Sequence, residues 1–95
     1  MKAPHPPAPV VLLVEDEAGI RRFVRTALEA EGCAVHEAAS LERGHIELAN
    51  RRPDLLVLDL GLPDGDGLVL LAELRQWSGM PVLVLSARSN EADKV

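Results

Sequence analysis

The sequence predicts an α/β fold: a parallel sheet with helices on both faces. Three observations predict it. Aliphatic runs alternate with amphipathic stretches in the order β-α-β-α-β-α-β, a pattern that implies right-handed crossovers. The runs at 10–14, 55–58 and 82–85 have no polar side, as strands covered on both faces require. The run at 55–58 then meets Asp59 and dissolves into Gly61-Leu62-Pro63-Asp64-Gly65-Asp66-Gly67, which is turn chemistry at a strand end.

The elements follow in order. Residues 1–9 hold prolines at 4, 6, 7 and 9 and read as an extended, mobile tail outside the fold, with His5 solvated in it. Strand one is the aliphatic run from Val10 to Val14, stopped by Glu15-Asp16. A helix from Glu17 to Glu31 follows, with Ile20, Phe23, Val24, Ala27 and Leu28 at helical spacing. Acidic residues at its start suit the helix dipole, and Gly32 is its natural stop.

Ala34 to Ala38 alternates in polarity and reads as a shorter, more exposed second strand at a sheet edge. Ser40 can cap a second helix running to about Arg51 and stopped by Pro53, with a thin apolar stripe of Leu41, Gly44 and Leu48 and with His45 on the same side. His45 reads as a partly exposed helix residue, not a catalytic one. Strand three is Leu55 to Leu58. Asp66 can cap a third helix to about Trp77, with Leu68, Leu71 and Leu74 inward and Trp77 closing the core. Val82 to Leu85 is strand four, and Ser86-Ala87-Arg88 leaves its end. Residues 10–95 therefore form a single domain, with no internal repeat and no linker.

Composition narrows the function. A chain of 95 residues is one small domain, and 47% apolar content makes it globular. Aromatic residues are 2%, so the core must be aliphatic. A net charge of −5 argues against a nucleic-acid grip in this segment, because phosphate neutralisation needs a basic surface. Cys33 is the lone cysteine, which excludes an intramolecular disulfide and fits a reducing cytosol. No apolar run approaches the roughly 20 residues of a membrane helix, and no secretory signal precedes the first strand.

The chemistry lies at strand ends. In a parallel sheet all strand C-termini share one edge, where ligands bind. That edge receives Glu15 and Asp16 after strand one, Asp59 after strand three and Ser86 after strand four. Three carboxylates at close range repel and raise one another's pKa values unless a cation is present. Mg2+ accepts such a set of hard oxygen donors together with water and phosphate oxygens. These residues point to a Mg2+ site awaiting a phosphoryl group. The bland alternative, a helix start and a turn cap, does not account for the coincidence of three strand ends.

Three blocks carry a family resemblance: Val10-Val-Leu-Leu-Val-Glu-Asp-Glu17, Leu58-Asp-Leu-Gly-Leu-Pro-Asp-Gly-Asp-Gly67 and Val84-Leu-Ser-Ala-Arg88. In order and spacing they resemble the receiver domain of two-component response regulators, over residues 10–95. The wording of the Asp59 loop and of residues 86–95 looks most like the potassium-responsive KdpE-type branch of the OmpR/PhoB group. The resemblance implies a three-layer flavodoxin-like (CheY-like) sheet of order 2-1-3-4. It implies that Asp59 is the phosphoacceptor for a sensor histidine kinase. It also implies that Asp16, Asp59 and the backbone carbonyl of Gly61 hold Mg2+, with Glu15 acting directly or through water. Ser86 would be the switch hydroxyl, the Ala87 backbone would sit beside the phosphoryl group, and Pro63 would fix the loop. Asp64 and Asp66 read as loop and cap residues.

Receivers of this family close with a fourth helix, a fifth strand and a fifth helix, and their phosphoryl-pairing lysine ends strand five. Lys94 comes too early to be that lysine. The sequence therefore predicts a partial receiver with weakened acylphosphate formation. DNA would be reached only through a C-terminal domain outside this sequence. An apolar strand-four edge would be open to homo-association, and part of the first helix would lose its cover. The alternatives are a Mg2+-dependent phosphohydrolase of a related α/β fold and a docking-only receiver. The phosphohydrolase would need a nucleophilic Asp after strand one and a second Asp two residues on, and Glu15-Asp16-Glu17 does not supply that spacing.

Overall fold

A computed structural model describes residues 7–85. Its strands are β1 Val10–Val14, β2 Ala34–Ala38, β3 Leu55–Asp59, β4 Gly61–Leu62, β5 Gly65–Asp66 and β6 Val82–Leu85. Four of them form one parallel sheet in the order β2-β1-β3-β6. Three helices connect these four: α1 Ala18–Ala30, α2 Leu41–Arg51 and α3 Gly67–Arg75. The second strand lies at an edge, as its alternating polarity predicts. The short β4 and β5 pair as an antiparallel ribbon that folds the segment after β3 back on itself around Pro63-Asp64. The sequence predicts that reversal but not its pairing.

The core follows from the apolar runs. Residues 11–14 of β1 and 56–58 of β3 are buried on both faces. Period-two alternation divides them. Leu12, Val14, Leu56 and Leu58 join Leu41 and Leu48 of α2 and Leu70 and Leu74 of α3 on one face. Val11, Leu13 and Val57 join Val35 on the other, with Val24 and Leu28 of α1 packed against them. Each fully buried Leu or Val contributes about 1.5–3 kcal/mol relative to exposure.

The helix ends show why the segments stop where they do. Gly32 adopts φ +92°, which closes α1 at low cost. Ser40 caps α2 by accepting the Arg43 N–H at 3.2 Å, and Asp66 caps α3 by accepting the Leu68 N–H at 2.9 Å. Pro53 terminates α2, as expected. Glu17 is the N-cap of α1 but makes no side-chain cap bond, and the first turn contains no acid. Of the acids expected to open this helix, Glu17 sits at the N-cap, and Glu15 and Asp16 lie between the end of β1 and that cap.

Three packing expectations are corrected. The apolar stripe of α1 is only partly used: Val24 and Leu28 pack on the sheet, whereas Ile20 is exposed and Phe23 is 75% exposed. One i,i+4 pair covers the sheet face, and no described element covers the rest of the stripe. In α3 the inward residues are Gly67, Leu70 and Leu74, with Leu71 at the margin and Leu68 outside. Gly67 lies against the β3 exit, where its N–H donates to the Leu60 carbonyl at 2.9 Å. Trp77 does not close the core. It lies beyond the end of α3, 63% exposed, on a surface cleft of ≈ 620 Å³ with Leu48, Pro53 and Met80.

In α2 the stripe of Leu41, Gly44 and Leu48 is buried as expected, and Glu47 joins it unexpectedly. Arg43 at 2.7 Å and Arg51 at 2.8 Å satisfy the Glu47 carboxylate. His45 is exposed instead of sharing that side, and pairs with Glu73 of α3 at 3.2 Å. At the chain's beginning, Pro9 already belongs to the fold, because its carbonyl accepts the Ala34 N–H at 2.8 Å. The rest of the expected tail up to residue 6, including His5, lies outside the described residues.

Candidate functional site

Register builds the site. Val14 of β1 pairs with Leu58 of β3, so the next residue of each strand, Glu15 and Asp59, emerges side by side at the C-terminal edge. Asp16 follows in the loop to α1. On the far side, Asp59 is level with Leu85 of β6. Carboxylate oxygens of Glu15, Asp16 and Asp59 all lie within 4.8 Å of one another, with Glu15 and Asp59 buried and Asp16 more open. The predicted convergence of acids from separate strands is therefore present.

Local hydrogen bonds fix the acids. The Glu15 N–H donates to the Ala38 carbonyl at 3.0 Å, extending the β1–β2 ladder by one residue. The Glu17 N–H donates to Glu15 Oε2 at 2.9 Å. The Gly61 N–H donates to Asp59 Oδ1 at 3.1 Å, orienting that carboxylate from its own loop. Arg21, one turn into α1, donates through Nη1 to the carbonyls of Glu15 at 2.9 Å and Asp16 at 3.2 Å.

The electrostatics are those of an anionic cluster. Burial pushes the Glu15 carboxyl above the usual carboxylate range. The Glu17 N–H pulls it back, while Asp59 and Asp16 push it further up. A cation at this position would reverse that balance, so binding would compete with protons. The donor set fits a hard divalent ion, since every side chain offers oxygen.

The loop after Asp59 is anchored from elsewhere in the chain. Asp64 accepts the N–H groups of Leu41 at 2.8 Å and Glu42 at 3.0 Å, which clamps the ribbon to the start of α2. Asp64 and Asp66 thus serve as a clamp and a cap, outside the acidic cluster. Gly61 is exposed and opens β4. Ser86, Ala87 and Lys94 lie outside the described residues. The helical pattern leaves Arg21 off the apolar stripe and gives no sign of its bonds to the acidic edge. The available signal was an arginine one helical turn after an acidic strand exit.

Similarity to known proteins is extensive. The response regulator receiver domain family matches residues 11–95. The KDP operon transcriptional regulatory protein KdpE of Escherichia coli (strain K12) is 64% identical over 85 residues, covering 90% of this chain and 38% of that protein. The transcriptional regulatory protein KdpE of Mycobacterium tuberculosis (strain ATCC 25618 / H37Rv) is 42% identical, again over 90% of this chain and 38% of its own. The chain thus spans 38% of the length of these two curated relatives. Among solved structures, the receiver domain of Francisella response regulator 1452 superposes with a TM-score of 0.78 at 32% identity, over 83% of this chain and 66% of that one. The non-phosphorylated HemR receiver domain of Leptospira biflexa gives 0.75 at 34% identity, over 83% and 64%.

Proposed function

The chain belongs to the response regulator receiver domain family, and from that premise we propose that Asp59 accepts a phosphoryl group from the phosphohistidine of a sensor histidine kinase. The observation that carries this reading is the meeting of Glu15, Asp16 and Asp59 at one sheet edge, with oxygens within 4.8 Å. The domain is a signalling module, not a metabolic enzyme. In a longer parent protein it would control a DNA-binding output domain in the cytoplasm, as the transcriptional-regulator names of its relatives suggest.

The chemistry is a single displacement. An Asp59 carboxylate oxygen forms a bond to phosphorus while the N–P bond of the phosphoimidazole breaks. The nitrogen leaves with the electron pair and is reprotonated by solvent. The Gly61 N–H, donating to Asp59 Oδ1 at 3.1 Å, orients the attacking carboxylate. Glu15, Asp16 and Asp59, with the Gly61 carbonyl, would hold Mg2+, which when bound screens the negative charge on the transferring group. By the family resemblance, the Ser86 hydroxyl would hydrogen-bond a phosphoryl oxygen and the Ala87 backbone would sit beside the phosphoryl group.

The test is phosphoryl incorporation from acetyl phosphate with Mg2+, read by intact-protein mass spectrometry, with beryllofluoride binding in parallel. Asp59→Asn is expected to abolish both, and chelation of Mg2+ to suppress both. Equal incorporation into the Asn variant would overturn the assignment. Steady phosphate release from generic phosphomonoesters would support the phosphohydrolase instead. The regulator names of the relatives favour the signalling reading over that alternative.

A further inference from the structure

Arg21 ties the acidic edge to its scaffold. Its Nη1 bridges two consecutive carbonyls, Glu15 at 2.9 Å and Asp16 at 3.2 Å, while its Nε reaches Glu37 Oε1 on β2 at 3.2 Å. The side chain is only 22% exposed, so these bonds are partly shielded from water. We propose that Arg21, anchored by Glu37, is a positioning residue for divalent-cation binding. It fixes the backbone of Glu15 and Asp16 so that their carboxylates converge on Asp59.

This inference rests on the cation reading above and adds what assembles the site. Three consecutive acids, Glu15-Asp16-Glu17, leave β1 beside Asp59. Mutual repulsion would splay such a loop unless its backbone were held. Bonds to both carbonyls restrict the dihedrals that decide where the two carboxylates project. Groups of this kind must be held within about 0.5 Å to act together.

A planar guanidinium can serve two carbonyls and a carboxylate at once. A lysine ammonium, as a point charge on a flexible stem, cannot reproduce that fork. Glu37 balances the arginine's charge, so the cluster keeps its negative potential for an incoming ion. Arg25 supplies a built-in control: it pairs with the same Glu37 at 2.8 Å and with Glu29 at 2.8 Å, and none of its hydrogen bonds among the described residues reaches the loop.

The experiment titrates Mg2+ and Mn2+ into the chain and its variants by calorimetry, and follows amide hydrogen exchange at residues 16 and 17 without metal. Arg21→Ala is expected to weaken cation affinity about 10–100-fold, the range for groups that orient metal ligands. Arg21→Lys should recover only part of the loss, and Arg25→Ala should stay within about two-fold of the parent. Exchange at residues 16 and 17 should accelerate in Arg21→Ala and not in Arg25→Ala. Should Arg21→Ala fail to fold, Arg21→Lys and Glu37→Gln carry the test, each with reduced affinity expected.

Equal losses in Arg21→Ala and Arg25→Ala would overturn the proposal, as would full affinity in Arg21→Lys. Cation binding that Asp16→Asn removes but Arg21→Ala leaves intact would overturn it while sparing the cation reading. No cation binding by the parent chain would overturn both.

Discussion

Single atoms decide how closely the phosphoacceptor loop can fold. A Cβ added to Gly67 would lie 2.9 Å from the Asp59 carbonyl oxygen and 3.0 Å from Leu60 Cα, both backbone atoms. A Cβ at Gly44 would meet Val14 Cγ2 at 3.2 Å, a side-chain contact tight by only a few tenths of an ångström. Gly67→Ala should therefore cost about 1–3 kcal/mol, the usual penalty of overpacking, and displace the Asp59 loop. Gly44→Ala trades a tight contact for better helix propensity and should stay within about 1 kcal/mol of the parent. Paired urea melts measure both, and a larger cost at Gly44 would contradict this distinction between backbone and side-chain neighbours.

The same scale shows what the sequence could disclose. Glu15, Asp16 and Asp59 were legible because a carboxylate that closes an aliphatic run marks the exit of a buried strand, and register carries it to a known edge. Arg21 and the Asp64 clamp were not. Their partners are backbone groups whose positions exist only once α1, α2 and the ribbon have docked. Glu47 was hidden for a related reason: its burial depends on two arginines at i−4 and i+4 folding over it.

At the scale of elements, α1 is joined to the sheet by charge as well as by Val24 and Leu28. Glu37 on β2 receives Arg21 at 3.2 Å and Arg25 at 2.8 Å. The neighbouring Arg25 guanidinium, and then Arg21, hold the Glu37 carboxyl below its ordinary value of 4.5, against the opposing effect of burial. A carboxyl depressed in the folded state binds fewer protons there than in the unfolded chain. Its stabilisation is complete above about pH 4.5 and disappears as pH falls through the depressed value. Glu15, raised by burial, works in the opposite direction, so the contribution of Glu37 has to be isolated by difference. The melting-temperature gap between the parent and Glu37→Gln should be widest near neutrality and shrink as pH falls below 4.5. A gap independent of pH would rule out this ion pair as a tether.

Element order and most boundaries were readable, because period-two and period-3.6 patterns are local. Helix phase was not. The four leucines of α3 at 68, 70, 71 and 74 admit more than one inward face. Leu70 and Leu74 turn inward while Gly67 lies against the β3 exit, a tertiary contact without a sequence period. Nor could the apolar stripe of α1 show how much of it the sheet would cover.

Across the whole molecule, the two sheet edges differ in chemistry. β2 presents His36 and Glu37, with Glu37 engaged by two arginines. Among the described residues β6 pairs only with β3, and it leaves Leu83 53% and Val84 38% exposed. An apolar edge strand offers unpaired backbone groups and side chains to any strand it meets, whereas charge on an edge discourages such pairing. The chain should therefore self-associate through β6 and not through β2. Sedimentation velocity over a concentration series is expected to show a reversible shift from monomer to dimer. Leu83→Lys, which sets a charge on the β6 edge, should hold the chain monomeric. Ala34→Lys, at an exposed position on the β2 edge, should leave the association unchanged. A monomer at every concentration, or a dimer indifferent to Leu83→Lys, would show that exposure along β6 does not govern assembly.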